Sequence, residues 1–116
     1  MKNYDNFFLP VNDLNAAKRF YSNVLGLQTK FDFSEKGMIA FKVGNQEPSI
    51  ILRDTGKFKE AKSAIWFVVD NVEREYRALE ERGIAFVSEP FCIQTGMVVE
   101  FEDPSGNRFG ITDYTR

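Results

Sequence analysis

The side chains able to do chemistry are few in this chain, and their types narrow its function before any fold is considered. There is no histidine. The side chain best suited to proton transfer near neutral pH, also the commonest nitrogen ligand for metals, is therefore missing. Cys92 is the one cysteine; alone it closes no internal disulfide, and its expected place is as a small buried hydrophobe. Glu100, Glu102 and Asp103 crowd one turn. Adjacent strand residues face opposite ways, so they are expected to be solvated turn carboxylates and not a metal cluster. Arg53, and Arg108 as a second possibility, suit bidentate binding of a carboxylate or phosphate, although an arginine is no base at neutral pH. The remaining candidates are apolar. Trp66 and Phe8, joined by Phe33, Phe91 and Met97, would make a wall for a planar organic ligand through stacking and area burial. No Ser, Thr or Cys has a base partner for covalent catalysis, and the turn at Gly106 lacks a phosphate-loop pattern.

The elements that must position these residues come as a repeat. Val11-Asn12-Asp13-Leu14 leads into a helical stretch closed by Gly26, and Val69-Asp70-Asn71-Val72 leads into another closed by Gly83, at an almost constant offset. Such self-similarity marks one supersecondary unit used twice, burying apolar faces against a neighbour, so function is sought between the copies. In the first copy, residues 6–11 read as a strand. Asp13 is a plausible N-cap, and Leu14, Ala17, Phe20, Tyr21, Val24 and Leu25 recur at helical spacing. Strands at about 28–33, 38–44 and 49–53 follow, punctuated by the turns 34–37 and 44–48. In the second copy, residues 64–69 form a strand, Asp70 with Glu73 resembles a capping box, and strands at about 84–88, 97–102 and 107–112 complete the set. Residues 54–62 link the copies.

Each half thus reads β-α-β-β-β, which predicts eight strands and two helices in an α+β chain. The strand period of two assigns the faces. Phe7, Leu9 and Val11 are expected on the helix side of the first strand, with Asn6, Phe8 and Pro10 opposite. Ile65, Phe67 and Val69 take the helix side of the other, leaving Ala64, Trp66 and Val68 as candidate cavity lining.

Composition excludes several classes. With 116 residues the chain has room for one domain, spanning 1–116, with module one at about 4–53 and module two at about 63–113. A net charge of −2 without a basic stripe makes nucleic acid an unlikely partner. No apolar run approaches a membrane span, and the first ten residues carry no apolar signal region. With the lone cysteine, these features lead to the expectation of a cytoplasmic protein.

The order of elements, with Val11-x-Asp13-Leu14, Phe20-Tyr21-x-x-Val24-Leu25-Gly26-Leu27 and Asp103-Pro104-x-Gly106-Asn107, resembles the vicinal oxygen chelate superfamily. That group includes glyoxalase I, extradiol dioxygenases, fosfomycin-resistance enzymes and bleomycin-resistance proteins. The likeness covers essentially the whole chain but does not distinguish the members. It implies two tandem modules forming a curled mixed sheet around a cavity, often completed by a second chain, and hence a homodimer.

In metal-dependent members the inner face of the sheet carries His or Glu ligands. Counting from the motifs, the resemblance puts those positions at Asn6, at Ile51 (or Ser49 or Arg53 if the register slips), at Ala64 and at Gly110. Asn, Ile, Ala and Gly offer one weak oxygen donor, whereas a Zn, Ni or Fe site needs at least three good ones. The expectation is a protein without metal or other cofactor, similar to the bleomycin-resistance branch. It would sequester a hydrophobic or aromatic compound, an antibiotic being one candidate, against Phe8, Arg53, Trp66, Asn6 and Met97, with no catalytic residue. Two alternatives stand beside it: a glyoxalase- or dioxygenase-like enzyme with an unusual site, and a dimeric interaction or regulatory domain without a ligand.

Overall fold

The structure, a computed structural model, describes all 116 residues. It contains nine strands and two α-helices, an α+β chain, and it divides into two compact units. The N-terminal unit holds residues 6–63; the C-terminal unit holds residues 64–116 together with 1–5.

The N-terminal unit follows the expected order. Strand β1 spans Asn3–Val11, helix α1 Leu14–Arg19, β2 Gln28–Phe33, β3 Met38–Lys42 and β4 Ile50–Asp54. β1 lies parallel to β4, while β3 runs antiparallel to both β4 and β2, giving the order β2-β3-β4-β1. Asp13 caps α1 as expected, its carboxylate accepting from the Ala16 N–H at 3.0 Å. The helix does not continue to Gly26, however. At Phe20 it widens into a π-type turn, Phe20–Val24, in which the Leu25 N–H bonds back to the Phe20 carbonyl. The wider turn stacks Tyr21 on Phe41 with centroids 5.5 Å apart, and it carries Phe20, Val24 and Leu25 off the buried stripe, leaving them exposed. On the helix side, Ile39, Phe41 and Leu52 are wholly buried, with Leu9, Val11, Leu14, Ala17, Tyr21 and Ile50 packed around them.

The C-terminal unit repeats the plan with one strand more than expected. β5 spans Ala64–Val68, α2 Val72–Glu81, β6 Ala85–Phe86, β7 Phe91–Ile93, β8 Gly96–Glu102 and β9 Arg108–Thr112. β5 is parallel to β9, β9 antiparallel to β8, and β6 and β7 both pair with β8. The added strand is β7, hairpinned onto β8 through Gln94 and Thr95. The cap of α2 also differs from the sequence pattern. Asn71, in extended backbone conformation, accepts from the Arg74 N–H at 2.9 Å, while Asp70 pairs with Lys2 at 2.7 Å. Val69, Val72, Val99, Phe101 and Ile111 form the buried core under α2. Met97 packs against this same cluster, so the ligand wall loses it: Met97, Val99 and Phe101 share one strand face, the helix side. No helix is long and apolar enough to cross a membrane.

Candidate functional site

The two units present their chemistry on the faces turned away from the helices, each set by strand register. In the N-terminal unit one row across the sheet is Phe8, Ile51, Ala40 and Phe31; the next is Pro10, Arg53, Met38 and Phe33. Plain alternation along β2 would put Thr29 and Phe31 on one side. A bulge between them changes this, so Thr29 pairs with Phe41 on the helix side and Phe31 with Ala40 opposite. Asp32 confirms the assignment, because its carboxylate receives a 2.6 Å hydrogen bond from the ammonium of Lys18 on α1. Phe31 and Phe33 therefore face the other way, stacked with centroids 4.8 Å apart.

Phe8 is 5% exposed and Arg53 8% exposed. The guanidinium carbon of Arg53 sits 4.6 Å from the centre of the Phe8 ring, and one amino group donates to the Lys62 carbonyl at 3.2 Å. The stacking and the hydrogen bond hold the fork in one orientation, the arrangement in which an arginine recognises an anion best. Asn6, the first of the expected positions, has its side-chain oxygen occupied by the Ser49 N–H at 2.9 Å.

In the C-terminal unit the corresponding rows are Trp66, Gly110 and Glu100, then Ala64, Arg108 and Glu102. The Trp66 indole N–H donates to Glu100 at 2.8 Å. Arg108, almost fully buried, gives one hydrogen bond to Glu100 at 3.1 Å and two to Glu102 at 3.0 and 2.8 Å. Burial works against the Arg108 charge, but the bonds to Glu102 and Glu100 outweigh it and raise its pKa above the ordinary value. Glu100 and Glu102 are thus not solvated turn carboxylates. Residues two apart share a face, and both side chains turn inward onto one guanidinium. Asp103 alone behaves as a turn residue, accepting from the Ser105 and Asn107 N–H groups.

Phe33, at the edge of the Arg53 row, is about half exposed, as is Phe91, which lies apart from that row on β7. Cys92 is exposed on β7 and not buried, its thiol 3.2 Å from the Met97 sulfur.

A family model described as the Glyoxalase/Bleomycin resistance protein/Dioxygenase superfamily matches residues 3–111. The chain belongs to this superfamily. Among its relatives is the uncharacterized protein YurT of Bacillus subtilis (strain 168), 26% identical over 111 residues, covering 84% of this chain and 87% of that one. A hypothetical protein of Bacillus halodurans C-125, BH1468, shares the fold with a TM-score of 0.74 at 19% identity, over 95% of this chain and 92% of the other. Streptomyces coelicolor methylmalonyl-CoA epimerase, solved with 2-nitronate-propionyl-CoA, shares it with a TM-score of 0.72 at 16% identity, over 100% and 99%. At these identities the structural likenesses speak for the fold alone.

Superfamily members that use a metal need a donor set, and the positions available here do not fit one. Asn6 spends its oxygen on the Ser49 amide, Ile51 and Ala64 are apolar, and Gly110 lies under the Trp66 indole. No three His, Cys, Asp or Glu side chains converge as ligands anywhere in the chain. Glu100 and Glu102 come nearest, but their oxygens already serve Arg108 and Trp66.

Proposed function

We propose that this superfamily member binds a small apolar or aromatic compound without the help of a metal. The observation that carries this reading is Arg53 lying over Phe8, an oriented cation on an apolar sheet face beside positions that offer no ligand set. Trp66 serves the same purpose on the face of the C-terminal unit, its ring apolar and its N–H held by Glu100. An antibiotic is one compound of this class, and sequestration of it is part of the reading. A homodimer and a cytoplasmic location complete the proposal, with light scattering and fractionation as their direct tests.

Binding is measured by thermal shift across a panel of drugs and aromatic metabolites, with and without EDTA. At a ligand concentration of 100 Kd the native state gains about 2.7 kcal/mol, a clear rise in Tm. The expected outcome is a hit whose shift EDTA leaves unchanged. A panel with no hits, or stoichiometric transition metal in the native protein, overturns the proposal.

Enzymatic acid–base chemistry is the second reading, favoured by one observation: two carboxylates, Glu100 and Glu102, on an inner strand face. A general base must have a lone pair directed at its substrate. Trp66 and Arg108 already engage oxygens of both carboxylates, so binding is the better-supported function.

A further inference from the structure

The helix-free face of the N-terminal unit carries a feature that Phe8 and Arg53 do not account for. Phe31 and Phe33 stack on each other on the edge strand β2, where Phe31 is half-buried and Phe33 is 48% exposed. Met38 lies between Phe33 and Arg53 in the same row, one strand from each. Adjacent strands are about 4.8 Å apart, so the row from Phe33 to Arg53 measures about 10 Å, a length that a two-ring acid bridges from ring to carboxylate. The materials along it change in order: two aromatic rings, a polarizable thioether, a fixed guanidinium.

We propose that this shelf of Phe31, Phe33 and Met38 takes the flat ring of an aromatic carboxylic acid, whose carboxylate is directed at Arg53. The inference rests on the small-molecule-binding function above and names the class of ligand. Three physical points support it. Aromatic rings gain from offset stacking beyond the area they bury, and Phe33 offers an open ring face already fixed by Phe31. A methionine adapts to flat ligands of varying outline. The charge at the β4 end is complementary to a carboxylate, and its five N–H donors are set in a planar fork that serves more than one acceptor. A second protein is the poorer occupant. An aromatic side chain presents about 200 Å² in all, so a half-exposed Phe33 with its partly covered neighbours offers far less than the roughly 800 Å² per partner of a stable interface.

The test is isothermal titration of the intact chain with three probes: 2-naphthoate, the neutral 2-naphthalenemethanol and the saturated cyclohexanecarboxylate. The expected result is binding of 2-naphthoate about tenfold tighter than either of the others, since a charge-assisted bond and a stacked ring are each worth about that factor. Phe33→Ala, at an exposed position that does not threaten folding, is expected to weaken 2-naphthoate about tenfold. Arg53→Lys keeps the charge but loses the fork, and it is expected to narrow the gap between the acid and the alcohol. Equal binding of acid and alcohol overturns the carboxylate preference while leaving small-molecule binding intact. Undiminished 2-naphthoate binding in Phe33→Ala overturns the shelf. No binding of any probe, alongside a thermal-shift hit of another chemistry, overturns this inference alone; no binding and no hit overturns both.

Discussion

The indole of Trp66 covers Gly110 so closely that a Cβ at 110 would stand 2.5 Å from both Cδ1 and Nε1 of the ring. The glycine is the reason the indole can lie flat on β9 and reach Glu100. Gly110→Ala is therefore expected to destabilise the chain by about 1–3 kcal/mol, the cost of overpacking a filled site. Urea denaturation followed by far-UV circular dichroism measures it, a probe that survives removal of Trp66, the only tryptophan. In a Trp66→Ala background the same substitution should cost far less. An undiminished cost there would locate the effect in the backbone and not in the ring.

Arg108 is the common partner of two inward-turned carboxylates. Arg108→Met leaves Glu100 and Glu102 facing each other without their cation, and a loss of about 3 kcal/mol is expected. Adding Glu100→Gln and Glu102→Gln should restore part of that stability. Denaturation midpoints for the single and triple variants decide this; if the triple variant is no better than the single, charge is not the cause.

Acid sensitivity should be traceable to Asp32. The hydrogen bond from Lys18, with those from the Ser34 hydroxyl and amide, draws its pKa down from 3.8 to about 2. A carboxylate lowered in the folded state stabilises it above the unfolded value and loses that effect as pH falls through the folded one. Asp32→Asn should thus be less stable than the parent at pH 6, with the difference closing between about pH 4 and about pH 2. A constant difference across that range would contradict the assignment.

Cys92 should react as an open thiol. It is exposed on β7, so the native chain is expected to titrate one thiol with Ellman's reagent without unfolding. A thiol that appears only in denaturant would place Cys92 inside.

The repeat made most of the architecture legible, because junction phrases and closing glycines are local signals that recur. Face parity on β1 and β5 was legible for the same reason: Leu9, Val11 and Phe67 lie on the helix side, as does Val69 just after β5. The candidate site was less so. Glu100 and Glu102 were misplaced because alternation was applied to the turn as a whole and not to the pair two residues apart. Met97 is hard to place from sequence because β7, the other arm of the hairpin with β8, has only three residues and no strong pattern. The shift at β2 had no signal in single-sequence alternation, since a bulge shows itself only in the pairing of two strands. The π-type turn after α1 was hidden in the same way, in a stretch whose apolar spacing suits an ordinary helix.

That bulge has a consequence for how the chain tolerates changes in length. Lys30 is the surplus residue: Thr29 keeps Phe41 and Phe31 keeps Ala40 on either side of it. Deleting Lys30 would leave both pairings in place, and β2 ends the strand order of its unit, with no further ladder to disturb. The edge holds one residue of slack. Insertions and deletions confined to this point leave Phe31 and Phe33 presented as before, and length variation among relatives should gather here before it reaches β3, β4 or β1.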